Sequence, residues 1–403
     1  MAALLPLSPS RRYITAVVAL VIGLHYLFSV TFDGYGRVSS LSNITNQLVS
    51  TNDTDAKPVV NLDISYYTNY TERRANATFV LLCRNNDLNG VINSMQSAED
   101  RFNRRYNYPW VLLNEEPFTE EFKHRVSLIT RAPVHFGLIP HDHWFQPDWI
   151  DENKARAGRQ KMMAQRIIYA GMSHVFFYRN MCRFNSGFFF HHELLQPYRY
   201  YWRPDVRFFC DLDYDPFLYM EDHDKVYSFT ISLPEWEPTI KTLWSAVTEF
   251  TEAHPEYVQS HNAMDFLSND GGKTYNLCHF WSNFEIADMD FWRSEAYQAF
   301  FNHLESKGGF YYERWGDAAS TMKLNPFVAF FSPTKLDIIS IAAALFARRD
   351  QIHFFRDIGY RHDPFQHCPS GEQWEAGRCA CDPKDTFDYH ENSCLKKFEG
   401  LFS

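Results

Sequence analysis

Residues 77–83 read ATFVLLC and residues 109–113 read PWVLL. Each is an apolar run of strand length, too short for a helix that could cross a core. Between them Arg84-Asn85-Asn86-Asp87 ends the first run, and Val91, Met95 and Phe102 then recur at helical spacing. A strand, a helix and a second strand in so short a stretch make a βαβ unit, which requires the two strands to be parallel. The expected fold is therefore α/β, with a mainly parallel central sheet. Such sheets take ligands beyond the carboxyl ends of their strands, where Arg84 and Glu115 fall. Arg84 is thus a candidate substrate-binding residue, with an ordinary surface turn as the competing reading. The first turn carries no G-x-G-x-x-G and no Walker loop, so neither a dinucleotide fingerprint nor an ATPase is supported.

Toward the amino terminus, Tyr13 to Phe32 is a mostly apolar run of 20 residues. At about 1.5 Å per residue it reaches about 30 Å, the thickness of a bilayer core. Arg11 and Arg12 precede it and Asp33 is the first charge after it. The positive-inside rule then puts residues 1–12 in the cytosol, 13–32 in the membrane as a signal anchor, and the remainder in the lumen. A cleaved signal peptide is the rival, but the run exceeds a usual h-region and no A-x-A site follows. Residues 33–75 are rich in Ser, Thr, Asn and Asp, which suits a stalk. Acceptor sequons begin at Asn43, Asn52, Asn69 and Asn76. Clustered just past a lumenal anchor, they read as a glycosylated stalk.

The chain has 403 residues, 45% of them hydrophobic, enough for a large core and against general disorder. Its formal charge is −10 with no basic block, which argues against a nucleic-acid binder. Eight cysteines suit an oxidising compartment. Cys368, Cys379, Cys381 and Cys394 crowd a polar tail, where disulfides are expected and zinc is a poor second.

Several stretches could carry chemistry. A helix is expected over Lys161 to Ala170, followed by the aromatic-dense Tyr178 to Phe190. Most of these rings belong to a core, although pyranose C–H faces also pack on aromatics. Asp211, Asp213 and Asp215 alternate after an apolar run, so an extended chain would place them on one face. A D-x-D of this kind can hold Mn²⁺ or Mg²⁺, but a charged strand end explains it equally well. Glu285 lies in an apolar and aromatic frame (YNLCHFWSNFEI), and a carboxylate buried there is either paired or functional. His279 in the same stretch reads as a core histidine. Rings and acids recur in YYERWGD, which ends at Asp317, and in FFRDIGYRHDPF, which holds His362.

These stretches, with EEPFTEEFKHRVS, HFGLIPHDHWFQPDWIDENKA and YRNMCRFNSGFFFHHELL, resemble the fungal α-1,2-mannosyltransferases of glycosyltransferase family 15. The likeness runs from about Asn76 to the carboxyl terminus. It implies a Golgi type II membrane enzyme with a GT-A-like catalytic domain over 76–403, using GDP-mannose and Mn²⁺ and retaining the anomeric configuration. The acceptors it implies are mannose-terminated glycans on glycoproteins or glycolipids. By position, Glu285 matches the carboxylate that acts as nucleophile or stabilises the oxocarbenium-like transition state. Tyr178 matches a tyrosine close to the donor, Asp317 an active-site acid, and His362 the histidine that ligates Mn²⁺. Arg84 and Asp205 are the expected substrate-binding residues.

The chain departs from the family pattern at three places. Arg203 runs straight into Pro204-Asp205, where the family has two intervening residues ending in Glu, the second expected metal ligand. Residues 319–339 stand where about three are usual, and Met172 to Phe177 is longer than usual. All three lie beside expected site residues. Misplaced coding-segment boundaries and real divergence both produce such a pattern, and sequencing the transcript separates them. The lost Glu also motivates a second functional reading, a catalytically impaired relative that binds nucleotide sugar or glycan, or serves as a partner in a mannosyltransferase complex.

Overall fold

In the computed structural model, which describes residues 73–165, 167, 175–204, 207–316 and 337–402, the ATFVLL run is strand β1, Ala77–Leu82. The strands that follow are β2 Trp110–Asn114, β3 Val134–Leu138, β4 Tyr200–Pro204, β5 Arg207–Phe208 and β6 Tyr227–Phe229. After them come β7 Ser232–Pro234, β8 Cys278–Phe280, β9 Phe284–Asp288, β10 Ile352–Phe354, β11 Tyr360–His362 and β12 Phe365–His367. Seven of them form one sheet in the order β10-β6-β9-β4-β1-β2-β3. β1, β2, β3 and β4 are mutually parallel where they pair, as are β6 and β10. β9 alone is antiparallel, to β4 on one side and β6 on the other. The sheet is mixed, and the expected parallel character holds for every strand of it except β9.

Both faces of the sheet are covered, as a mainly parallel sheet requires. Phe79, Leu81, Trp110, Leu112, Trp202 and Ile286 point into one apolar layer, whereas Val80, Val111, Leu113, Tyr201, Tyr227 and Ala287 point into the other. This alternation is the period-two rule of extended chain. Phe79 is fully buried and stacks on Trp110 with ring centres 4.3 Å apart. The aromatic richness of the sequence is therefore largely core.

The connection from β1 to β2 is the helix Leu88–Ala98, prolonged by a π-turn over Glu99–Asn103, and Val91, Met95 and Phe102 all face inward. The helix expected over 161–170 lies earlier, at Glu152–Ala164. Asp151 starts it by accepting the backbone N–H groups of Asn153 and Lys154 at 2.9 and 3.2 Å. The polar run ENKARAGRQ hid this helix from an apolar-period reading, although Glu, Lys, Ala and Arg are good helix formers. Residues 166 and 168–174 lie outside the described residues.

β5, β11 and β12 make a small second sheet, and β7 pairs with β8. The carboxyl-terminal tail is tied to the body by Cys210–Cys379 and Cys278–Cys394, and to itself by Cys368–Cys381. Cys83 and Cys182 are buried outside these bridges. Disulfides thus staple the tail as expected, and two of the three reach back across more than a hundred residues. The anchor at 13–32 and residues 33–72 of the expected stalk at 33–75 lie outside the described residues. Among the described residues no helix is long and apolar enough to cross a membrane.

Candidate active site

The reversed direction of β9 brings its first residues to the carboxyl ends of the parallel strands. Arg203 is directly opposite Glu285 and Pro204 opposite Phe284 in the β4–β9 ladder. Glu285 is completely buried. Its Oε1 accepts the hydroxyl of Tyr201 at 2.8 Å and a guanidinium N–H of Arg203 at 3.1 Å, and its Oε2 accepts the hydroxyl of Tyr227 at 3.3 Å. Tyr201 also accepts the indole N–H of Trp292 at 3.2 Å. Tyr201 and Arg203 share one face of β4 because they are two residues apart, and Tyr227 joins them from the far side of β9.

Charge behaves here as burial dictates. Loss of water pushes the Glu285 carboxyl above its ordinary value of 4.5, and the Arg203 charge and the donated hydrogen bonds pull against that rise. Burial, followed by the Glu285 charge, raises the Tyr201 and Tyr227 phenols well above 10, so both remain protonated donors. The result is a carboxylate fixed at a strand edge by three donors on rigid elements. Such a group can face a developing positive centre without reorganising.

The remaining expected residues surround this centre unevenly. Arg84 follows the carboxyl end of β1 and donates its Nε to Glu115 Oε1 at 3.1 Å, while Glu115 Oε2 is buried without a hydrogen-bond partner. Tyr178, 7% exposed, sits on the helix Val175–Gly187 in the apolar layer that also holds Tyr201 and Tyr227. Arg179, the next residue, is buried and donates to the carbonyls of Phe310, Tyr311 and Glu313. That bond set ties the Tyr178 helix to the turn leading to Asp317. Gly316 closes the turn at φ +89°, a conformation in which a side chain is strained. Asp317 and Asp205 lie outside the described residues, as do residues 319–336 of the insertion.

His362 ends β11, 3% exposed, with its ring edge-on to Trp281 at 5.3 Å between centres. Trp281 is four residues before Glu285, so the histidine flanks the turn that feeds β9. Its Nδ1 lies 3.1 Å from the carbonyl oxygen of Asp363. A carbonyl only accepts, so Nδ1 carries the proton and Nε2 the lone pair in the neutral ring, the tautomer that suits metal ligation. His362 therefore fits as one ligand of a divalent cation. Among the described residues no group of three or more His, Cys, Asp or Glu side chains comes together as a metal cage.

The D-x-D run resolves into structure rather than chemistry. Asp211 pairs with Arg101 and Arg378, both at 2.6 Å, and Asp213 lies 3.6 Å from Arg105. Asp215 caps the helix Pro216–Asp222 and accepts the Tyr108 hydroxyl at 2.6 Å. The three acids serve three different partners, which local alternation did not reveal. His279 is fully buried, as a core histidine should be. What sequence reasoning missed is the donor set of Glu285. Its only local trace is the Tyr201-x-Arg203 spacing in YYWRP, because the pairing across β4 and β9 spans more than eighty residues.

The sequence profile of the glycolipid 2-alpha-mannosyltransferase family matches residues 38–401. The chain is 49% identical over 335 residues to alpha-1,2 mannosyltransferase KTR1 of Saccharomyces cerevisiae, covering 82% of this chain and 80% of that protein. It is 42% identical over 396 residues to O-glycoside alpha-1,2-mannosyltransferase omh1 of Schizosaccharomyces pombe, covering 97% and 95%. Its structure is similar to that of the S. cerevisiae mannosyltransferase Ktr4p in complex with GDP, with a TM-score of 0.73, 40% identity and coverage of 81% and 82%. It is also similar to the Mn/GDP form of core-mannan synthase A (CmsA/Ktr4) of Aspergillus fumigatus, with a TM-score of 0.71, 38% identity and coverage of 83% and 87%.

Proposed function

The chain belongs to the glycolipid 2-alpha-mannosyltransferase family, glycosyltransferase family 15, and from that premise we propose that it is a retaining α-1,2-mannosyltransferase. It moves mannose from GDP-mannose to mannose-terminated glycans on glycoproteins or glycolipids. The observation that carries this reading is Glu285, a fully buried carboxylate held by Tyr201, Arg203 and Tyr227 at the ligand-binding edge of the sheet. Burial of a charge without purpose is costly, and this one is fixed in place by two strands besides its own.

In this reading Glu285 faces C1 of the donor mannose. As the C1–O bond to the diphosphate breaks, positive charge grows at C1 and the carboxylate stabilises it. Attack by Glu285 followed by the acceptor hydroxyl retains configuration through two inversions. Attack by the acceptor on the face the diphosphate leaves retains it in one step, with Glu285 as the stabilising charge. Tyr178 lies toward the donor and Asp317 serves as a second active-site acid. Arg84 and Asp205 contact the nucleotide sugar. His362 is the protein ligand for Mn²⁺, which when bound neutralises charge on the leaving diphosphate.

The same reading places the chain in the Golgi membrane as a single-pass type II protein, anchored by residues 13–32, with the catalytic body in the lumen. Three disulfides suit that oxidising compartment. The test is Glu285→Gln in the purified full chain, with transfer from GDP-mannose to methyl α-mannoside as readout. Near-complete loss of transfer with GDP binding largely kept is expected. Undiminished turnover would refute the assignment.

A further inference from the structure

The helix Asp337–Phe346 begins at the end of the stretch that departs from the family pattern, and Ser340 is the first residue past that stretch. From Ile338 to Leu345 this helix is fully buried, in the apolar layer that also holds Tyr227 and Phe280. Ser340 is the one hydroxyl in the run IISIAAAL. A hydroxyl buried in such a setting costs free energy unless it finds partners.

Its partners come from two strands. Ser340 Oγ accepts the N–H of Phe280 in β8 at 2.9 Å and lies 2.9 Å from the carbonyl oxygen of the same residue. Ser340 also bonds the Tyr227 phenol, whose ring stands 5.5 Å from that of Phe280 between centres. Tyr227 in turn donates its proton to Glu285 Oε2 at 3.3 Å. The helix after the insertion is therefore two hydrogen bonds away from the carboxylate proposed to face C1.

The Ser340 hydroxyl has one proton and two acceptors to choose from, the carbonyl of Phe280 and the phenol oxygen of Tyr227. Tyr227 cannot supply the proton of the bond they share, because it gives its own to Glu285. Donation from Ser340 polarises the phenol, and a polarised phenol is a stronger donor to the carboxylate. Donation to Phe280 instead clamps β8 and leaves the Tyr227 bond unaided. One side chain thus has two roles open to it, a clamp on β8 and a hold on the charge of Glu285.

We propose that Ser340 is a positioning residue for mannosyl transfer, acting on Glu285 through Tyr227. The proposal rests on the mannosyltransferase reading above and extends it to the helix that follows the insertion. As the donor C1–O bond breaks, Glu285 has to keep its negative charge directed at C1. Tyr227, with Ser340 behind it, keeps Oε2 hydrogen-bonded where burial withholds solvent. The helix makes this contact directly after a stretch of unusual length, so the insertion leaves the donor set of Glu285 complete.

The test is a double-mutant cycle in the full chain: wild type, Ser340→Ala, Tyr227→Phe and the double variant. Transfer from GDP-mannose to methyl α-mannoside is read with Mn²⁺ present, at a temperature below the melt of every variant. Ser340→Ala is expected to lower kcat about three- to tenfold and to leave both KM values as in wild type. The acid limb of its kcat/KM profile is expected to move upward, because Glu285 loses support for its charged form. In the Tyr227→Phe background the same substitution is expected to cost less than about twofold, because the phenol it acts through is gone. Equal factors in the two backgrounds overturn the proposal, since a role confined to Phe280 persists without the phenol. An unchanged kcat in Ser340→Ala overturns it as well. Ser340→Cys, close in volume and only a weak donor, replaces Ser340→Ala if that variant does not fold, and is held to the same outcomes. Undiminished turnover in Glu285→Gln, or a wild type that transfers no mannose, refutes the functional reading and this proposal with it.

Discussion

Removal of Arg203 tests whether the donors around Glu285 set its charge state. In Arg203→Met the carboxylate keeps Tyr201 and Tyr227 but loses the guanidinium 3.1 Å away. At that distance, with an effective dielectric constant of about 20, the lost attraction is about 5 kcal/mol. Water entering the vacated space screens part of it, and a shift of at least about one pH unit is the expected remainder, equivalent to about 1.4 kcal/mol. The sign follows from burial. The Glu285 carboxyl already lies above 4.5 because it is desolvated, and Arg203 is the main group pulling it down. Without Arg203 it rises further, so the ionised form that the proposed role at C1 requires is populated only at higher pH. The acid limb of the kcat/KM profile for mannosyl transfer should move up by that unit or more. Stability follows the same proton: a raised native carboxyl value means stability is full below 4.5 and falls as pH rises through the native value. Arg203→Met should therefore melt higher at pH 5 than at pH 8, relative to wild type at the same two values. Tyr201→Phe, which removes a 2.8 Å bond, should lower transfer more than Tyr227→Phe, which removes one of 3.3 Å. An acid limb for Arg203→Met that coincides with wild type would refute the reasoning, because the pair would then have no hold on the carboxylate.

His362→Ala should lower GDP affinity measured with Mn²⁺ by about tenfold or more and leave affinity without metal as in wild type. Isothermal titration in both conditions reads this, and an unaltered Mn²⁺ enhancement would remove His362 from the metal site. Replacing Cys278 and Cys394 together by Ser opens a link between residues 116 apart in sequence. It should cost about 2–5 kcal/mol of stability, read as a lower urea midpoint. An unaltered midpoint would mean that the tail is held by packing alone.

Local pattern made part of this architecture legible. The βαβ start was readable because strand length and helical spacing are short-range signals, and β1 and β2 lie within a residue of the expected runs. Glu285 stood out as an acid in an apolar frame, and its complete burial agrees with that reading. Long-range pairing was not legible. Nothing near Glu285 announces that β9 runs against its neighbours, or that Arg203 and Tyr227 meet it across the ladder. The alternation of Asp211, Asp213 and Asp215 was real, yet their partners Arg101, Arg105 and Arg378 come from distant segments and turn the run into surface and capping structure. The helix at Glu152–Ala164 escaped because its exposed face dominates its composition, so propensity and the Asp151 cap carried information that hydrophobic period did not.

The long disulfides also impose an order on biosynthesis. Cys278 opens β8, seven residues before Glu285, and its partner Cys394 lies 116 residues further along the chain. Cys210, just past β5, likewise waits for Cys379. A nascent chain can pair β1 with β2 while still on the ribosome, but it cannot latch β8 through Cys278 until Cys394 has been made. The strands around Glu285 are thus latched by a segment made much later than they are. A stop codon just before Cys394 would spare every proposed site residue and still leave β8 unlatched.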